Sequence, residues 1–182
     1  LDEADFTAVN LSDDGKGAVP GEVMIHELVH QWWGLGNMFD VETADSPWSA
    51  EGLTVYTTYR IVKELYGADH AQEYYVDQWK REVEDYYLNF YVRRPEYLEA
   101  LPEAERLAIS NSLSGMRRYS EMPLKILRAQ ELVGGEEAMD EILRGLFNRE
   151  LDWSYPYLTY QEFLDACGLT EEELDLGQDI SI

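Results

Sequence analysis

Two histidines stand four residues apart, with a glutamate directly after the first, in the segment HELVH at residues 26–30. Residues at this spacing lie on the same face of a helix, so a helix would direct both imidazoles toward one point. The chain contains only three histidines, and we expect the third, His70, to be an ordinary surface residue. The segment therefore predicts a helix that carries half of a metal site on one face.

Two neutral imidazoles and one carboxylate are typical ligands of catalytic zinc, which keeps a fourth position for water. His26 and His30 are the candidate ligands, and Glu27 is the candidate general base. Bound zinc can lower the pKa of a coordinated water to about 7, and a nearby carboxylate can accept that water's proton. The apolar neighbours of these residues predict that the helix packs in a core. A third protein ligand has to come from elsewhere in the chain.

The segments HELVHQWWG at residues 26–34 and WSAEGLTVY at residues 48–56 together resemble the aminopeptidase N family of zinc metallopeptidases, which are gluzincins. In that family a glutamate within a Trp-x-x-Glu-Gly-x-x-x-Tyr pattern on the next helix completes the zinc site. The resemblance implies that Glu51 is the third ligand of one Zn²⁺ per chain. It also implies a mainly α-helical, thermolysin-like catalytic domain. Glu42 is an alternative carboxylate, which lies in the intervening loop without that context.

A tyrosine at the start of a later helix also belongs to the family's pattern, where its hydroxyl binds the oxyanion of the tetrahedral intermediate. Tyr119 precedes Pro123 and the segment that closes at Gly134 and Gly135, which is a similar position. The resemblance therefore implies that Tyr119 and Glu27 are the catalytic residues. The alternative is that Tyr119 is one of thirteen tyrosines that pack a helical core.

The chain departs from the family's pattern at several points. Twenty residues, 31–50, separate His30 from Glu51, two more than the family usually has, and a polar loop can absorb the difference. Ala50 stands where the family often has Asn or Asp, and Tyr119 is followed by SEM instead of x-Lys-Gly. The family's Gly-x-Met-Glu-Asn segment, whose glutamate helps bind the substrate's free amino terminus, is absent from this sequence. Aminopeptidase activity therefore follows from the resemblance alone.

The leading prediction is zinc-dependent hydrolysis of peptide substrates, with aminopeptidase activity in the intact parent protein. A thermolysin-like endopeptidase is the first alternative, although the Trp-rich stretch after His30 and the context of Glu51 disfavour it. A zinc-binding domain without turnover is the second. The intact Glu27 disfavours that alternative, because a site without turnover has no need of a base.

Length and charge set further bounds. The 182 residues, 45% of them hydrophobic, are enough for one domain with a real core. The net charge of −23 disfavours nucleic acid as a partner, because phosphate binding needs clustered Lys and Arg. The chain begins with Leu1 and carries no signal sequence or apolar run that could span a bilayer. We expect residues 1–182 to be a single domain segment of a longer protein, whose remaining domains complete the substrate cleft. The sequence does not indicate the cellular compartment.

Start and stop signals predict a mostly helical chain with at most a short strand at residues 6–9. Thr159 and Glu162 have the spacing of a capping box, and the lone Cys167 is predicted to be a buried structural thiol. The predicted helices run from Pro20 to about Trp33, Pro47 to Tyr66, Ala68 to Arg93, Pro102 to Ile109, Gly115 to Leu132 with a disturbance or start at Pro123, Glu136 to Arg149, and Thr159 toward Cys167.

Overall fold

The computed structural model describes residues 22–40, 48 and 50–176. Its α-helices are α1 (Glu22–Val29), α2 (Ala50–Tyr66), α3 (Ala68–Ala71), α4 (Asp77–Leu88), α5 (Phe90–Arg93), α6 (Pro95–Glu99), α7 (Glu103–Met116), α8 (Met122–Val133), α9 (Glu136–Phe147) and α10 (Tyr160–Cys167). Two π-helices, Gln72–Val76 and Arg117–Glu121, and the 3₁₀-helix Glu172–Leu174 complete these elements. The predicted mainly α-helical fold is confirmed, whereas the predicted strand at residues 6–9 lies outside the described residues.

The capping box at the start of α10 forms as predicted. The hydroxyl of Thr159 accepts a hydrogen bond from the N–H of Glu162, and the Glu162 carboxylate accepts the N–H of Thr159. Gly168 ends the helix with a positive φ of 66°, a conformation that costs glycine little. Local sequence signals therefore determine both ends of α10.

The predicted gap between helices at residues 110–114 is wrong, because α7, the second π-helix and α8 form one continuous helical span. Proline lacks an N–H, and its ring collides with the carbonyl four residues earlier in an α-helix. Pro123 avoids this conflict because a π-helix directly precedes α8, where the N–H of Met122 donates to the carbonyl of Arg117, five residues back. The extra residue widens the turn at the point where proline would otherwise break the helix.

The predicted helix over residues 68–93 is interrupted at Asn89. This residue is extended, with φ −61° and ψ 134°, and its side chain accepts the N–H of Tyr91 at 2.9 Å. Asn is among the best N-cap residues, so it ends α4 and starts α5.

The helix predicted to reach Trp33 is shorter in the structure, where α1 ends at Val29. The residues from His30 to Trp33 form a turn, in which the N–H of Trp33 donates to the carbonyl of Val29 at 3.2 Å.

Helix α2 is the centre of the hydrophobic core, with α1, α8 and the second π-helix packed against it. Its side chains Leu53, Tyr56 and Val62 are almost completely buried. Gly52 allows a close approach, because an added Cβ would lie 2.5 Å from Cγ of Met122, far inside van der Waals contact. The absence of a side chain at Gly52 therefore brings the start of α2 directly against the junction of the second π-helix and α8.

The longest of these α-helices, α2, carries charged residues along its 17 positions. Among the described residues, no helix combines the length and the apolar character that crossing a bilayer requires.

Cys167 at the end of α10 is half-buried, and burial raises the pKa of its thiol to about 11. A thiol with this pKa is almost completely protonated at neutral pH, which makes it a poor nucleophile and a poor metal ligand. The position agrees with the structural role predicted for it, although the side chain is not completely enclosed.

Candidate metal centre

Helices α1 and α2 bring His26, His30 and Glu51 together. Nε2 of His26 lies 3.2 Å from Oε2 of Glu51, and Nε2 of His30 lies 3.6 Å from the same oxygen. The two imidazoles stand edge to face with their centroids 4.8 Å apart. One ligand atom from each of the three residues lies within 4.8 Å of the other two. The three side chains therefore converge on one point between the two helices.

These separations fit a tetrahedral zinc ion. Zinc binds imidazole nitrogen and carboxylate oxygen at about 2.0–2.1 Å, which places tetrahedral ligand atoms about 3.3–3.4 Å from one another. The observed 3.2 and 3.6 Å lie on either side of that value. Across the part of the chain that the structure describes, no other group of three or more His, Cys, Asp or Glu side chains has such an arrangement. The residues present therefore fit a zinc ion with two nitrogen ligands and one oxygen ligand.

The helical geometry of α1 extends far enough to align both histidines. His30 is the first residue after α1, and its N–H still donates to the carbonyl of His26 at 3.3 Å. Val29 and Trp33 are buried in the core from the same segment, with exposed fractions of 1% and 5%. The core contacts thus fix the rotation of this segment, and the two histidines face α2 as a result.

The carboxyl group of Glu51 is held in its charged form. A hydrogen bond to His26 is the largest influence on the pKa of Glu51 and lowers it, while partial burial opposes the shift. Electrostatic interaction with the two histidines and a hydrogen bond from Tyr119 lower the pKa of Glu51 further, and the net shift is downward. Glu51 is therefore a carboxylate at neutral pH, the form that binds a metal ion.

Tyr119 lies in the second π-helix, which packs against α2. Its hydroxyl donates to the Glu51 carboxylate, and 44% of the residue's surface is exposed. Burial of the hydroxyl raises the pKa of Tyr119, and the negative charges of Glu51 and Glu27 raise it further. The tyrosine is therefore protonated at neutral pH and can donate a hydrogen bond. Glu27 itself is exposed on α1, beside His26.

Comparison with known proteins agrees with this geometry. Residues 10–94 match the model of the peptidase family M1 domain, and the matched stretch contains His26, Glu27, His30 and Glu51. We refer to residues 10–94 as the family M1 stretch because of this similarity. Similarity to this family implies zinc-dependent hydrolysis of peptide bonds, and the predicted family resemblance is confirmed over this stretch. No solved structure matches the chain.

The family M1 stretch also contains contacts to His30 that sequence reasoning missed. Nδ1 of His30 lies 2.9 Å from the carbonyl oxygen of Trp33 and 3.1 Å from Oγ1 of Thr54. Thr54 follows Glu51 by three residues, so both side chains lie on the same face of α2. That spacing is a sequence signal for a second contact to the metal site, but only the structure shows which histidine Thr54 reaches.

The remaining candidates lie elsewhere. Glu42, the alternative third ligand, lies outside the described residues. His70 is not part of the cluster in the family M1 stretch, and its ring packs against Tyr66 and Tyr74 with centroid distances of 5.7 and 4.3 Å. It is half-buried between these rings, so the prediction that it is an ordinary surface residue is wrong. The physical reason is that Tyr74 follows His70 by four residues along the span from α3 into the first π-helix, while Tyr66, at the end of α2, contacts the ring from across the break at Gly67.

Proposed function

We propose that the chain is the catalytic segment of a zinc aminopeptidase, which removes residues from the amino termini of peptides. The observation that carries this proposal is the convergence of His26, His30 and Glu51 next to Glu27 within the family M1 stretch. The resemblance to the aminopeptidase N family favours cleavage at the amino terminus. The other domains of a longer parent protein would complete the substrate cleft.

His26, His30 and Glu51 are the residues that would hold the zinc ion. A zinc ion bound there would polarise the scissile carbonyl and lower the pKa of a coordinated water to about 7. The contacts of Glu51 with both histidines and with Tyr119 support its assignment as the third ligand. Glu27 is not a member of this ligand group.

Glu27 is assigned the role of general base. Two observations support this assignment: Glu27 follows His26 directly on α1, and its negative charge contributes to raising the pKa of Tyr119. As an exposed carboxylate outside the ligand group, it can accept a proton from the attacking water and then donate it to the leaving amine.

Tyr119 is assigned the role of hydrogen-bond donor to the oxyanion. Its hydroxyl is protonated at neutral pH and lies beside Glu51, at the edge of the ligand group. When water adds to the scissile carbonyl, negative charge develops on the carbonyl oxygen, and a donor aimed at that oxygen stabilises the transition state.

Replacement of Tyr119 by Phe is expected to lower kcat by about 10²–10³-fold, the typical effect of losing one oxyanion donor, with little change in zinc content. Steady-state kinetics of the full-length protein would measure it. Tyr155→Phe is a matched control, because Tyr155 is also 44% exposed and its hydroxyl also donates to a carboxylate, that of Asp40. Equal activity of the two variants would remove Tyr119 from the mechanism.

Aminopeptidase activity is tested by giving the full-length protein one peptide in two forms, with a free and with an acetylated amino terminus. We expect stepwise trimming of the peptide with the free amino terminus and no cleavage of the acetylated peptide. Mass spectrometry of the products would measure both. Internal cleavage of both forms would instead identify an endopeptidase. A zinc-loaded protein that cleaves neither form would be a zinc-binding domain without turnover.

A further inference from the structure

We propose that Thr54 is a positioning residue, which together with the Trp33 carbonyl holds the orientation and the Nδ1-protonated tautomer of His30 so that Nε2 is available to the metal ion. This inference rests on the proposed function, because it takes His30 as a zinc ligand. Thr54 itself does not contact the metal position. Its effect passes entirely through the imidazole of His30.

Hydrogen-bond chemistry determines where the proton of His30 lies. The Trp33 carbonyl, 2.9 Å from Nδ1, can only accept a hydrogen bond, so Nδ1 must carry the proton. The Thr54 hydroxyl can donate a hydrogen bond to the same carbonyl, 3.4 Å away. The lone pairs of the hydroxyl oxygen can then accept a hydrogen bond from Nδ1 of His30, 3.1 Å away. The neutral ring then has its lone pair on Nε2, the atom that faces Glu51 at 3.6 Å.

Burial makes these contacts strong. Thr54 is completely buried, and a buried hydroxyl needs hydrogen-bond partners, which here are Nδ1 of His30 and the carbonyl of Trp33. The Trp33 carbonyl is itself held in place, because the indole N–H of Trp33 donates to Oγ1 of Thr57 at 3.1 Å. Thr54 and Thr57 therefore attach the segment after α1 to α2, the first through the backbone carbonyl and the second through the indole of Trp33.

The consequence is that α2 contributes to the metal site twice. Glu51, in its first turn, supplies a carboxylate oxygen, and Thr54, three residues later, holds the ring that supplies a nitrogen. Partners that orient a metal-binding imidazole typically change metal affinity by 10–100-fold when they are removed. Because the Trp33 carbonyl remains in place, the expected loss for Thr54 is at the lower end of that range.

The test is Thr54→Val in the full chain, with zinc affinity measured by competition against a chelator. We expect affinity to fall by about tenfold, because one of the two partners of Nδ1 is lost. Thr54→Ser, which keeps the hydroxyl, is expected to bind zinc nearly as tightly as the unmodified chain. Thr58→Val is a matched control: Thr58 is 1% exposed on the same helix, and its hydroxyl donates to the carbonyl of Thr54 without reaching His30.

A second measurement does not depend on metal. Nitrogen-15 NMR of the metal-free protein, at a pH above the ordinary histidine pKa of about 6.5, reports which ring nitrogen carries the proton. We expect His30 to be protonated at Nδ1 in the unmodified chain. In Thr54→Val we expect the proton to stay on Nδ1, because the Trp33 carbonyl still accepts its hydrogen bond, but the Nδ1 chemical shift to change, because the Thr54 hydroxyl is lost. A proton on Nε2 in the unmodified chain would overturn the proposal even if the variant did not fold.

The outcomes separate this inference from the proposed function. Zinc binding by the unmodified chain, with the same affinity and the same Nδ1 chemical shift in Thr54→Val, would overturn the role of Thr54 and leave the zinc site intact. Equal losses of affinity in Thr54→Val and Thr58→Val would also overturn it, since the effect would then be general destabilisation. No zinc binding by the unmodified chain would overturn the proposed function, and with it His30 as a ligand.

Discussion

Replacement of Glu27 by Gln is expected to abolish peptide hydrolysis by the full-length protein while leaving about one zinc ion per chain. Glutamine has nearly the same shape as glutamate but cannot accept a proton from water. Proton transfer by a positioned side chain typically contributes 10²–10⁴-fold to the rate, so kcat should fall by about that factor. Zinc stays bound because Glu27 is outside the group formed by His26, His30 and Glu51.

The control for this variant is Glu64→Gln. Glu64 is an exposed glutamate on α2, and it lines a groove with Trp32 and Arg60, away from the ligand group. The same loss of one negative charge at Glu64 should leave both activity and zinc content unchanged. If Glu27→Gln retained full activity, another group would have to serve as the base, and the role assigned to Glu27 would be withdrawn.

Replacement of Glu51 by Ala is expected to reduce zinc from about one ion per chain to a small fraction of that. The variant loses the oxygen that lies within 3.6 Å of both histidine nitrogens and leaves only two protein ligands. Removing a residue that merely orients a ligand costs 10–100-fold in affinity, so removing the ligand itself should cost more than about 100-fold. Elemental analysis after dialysis against metal-free buffer would measure the occupancy.

Two results would contradict the Glu51 assignment. Full zinc occupancy in Glu51→Ala would move the third ligand to Glu42 or to another carboxylate. No zinc in the unmodified chain, even after reconstitution, would mean that the segment does not assemble the site. Glu64→Ala is the matched control, because it removes a glutamate from the same helix at an exposed position.

The convergence of the two histidines in the candidate metal site could be predicted from the sequence, because it depends on local spacing. His26 and His30 are four residues apart, and any helix through them places both rings on one face. Glu51 could be named only through the family resemblance, since helix periodicity does not reveal which distant carboxylate meets two histidines. The structure places its carboxylate against both rings, and elemental analysis of Glu51→Ala remains the test of its role.

The features that could not be predicted depend on contacts between elements distant in the sequence. Thr54 reaches His30 only because α1 and α2 pack side by side, and Gly52 is needed only because Met122 approaches it. The continuous span through Pro123 was predicted as two helices, since proline and glycine are ordinary signals for a boundary. A π-helix that accommodates a proline has no simple sequence pattern, so the difference is visible only in the structure.

The second π-helix also has a consequence for the angular phase of the long span from α7 to α8. Each residue turns an α-helix by about 100°, so one additional residue rotates everything after it relative to everything before it. At this step Ser120 and Glu121 bond to Glu82 and Tyr87 on α4, while Tyr119 bonds to Glu51 on α2. Three consecutive side chains thus serve two different neighbouring helices. The span therefore consists of two helices, α7 and α8, whose faces differ in angular phase. The π-helix that connects them carries Tyr119 to the candidate metal site.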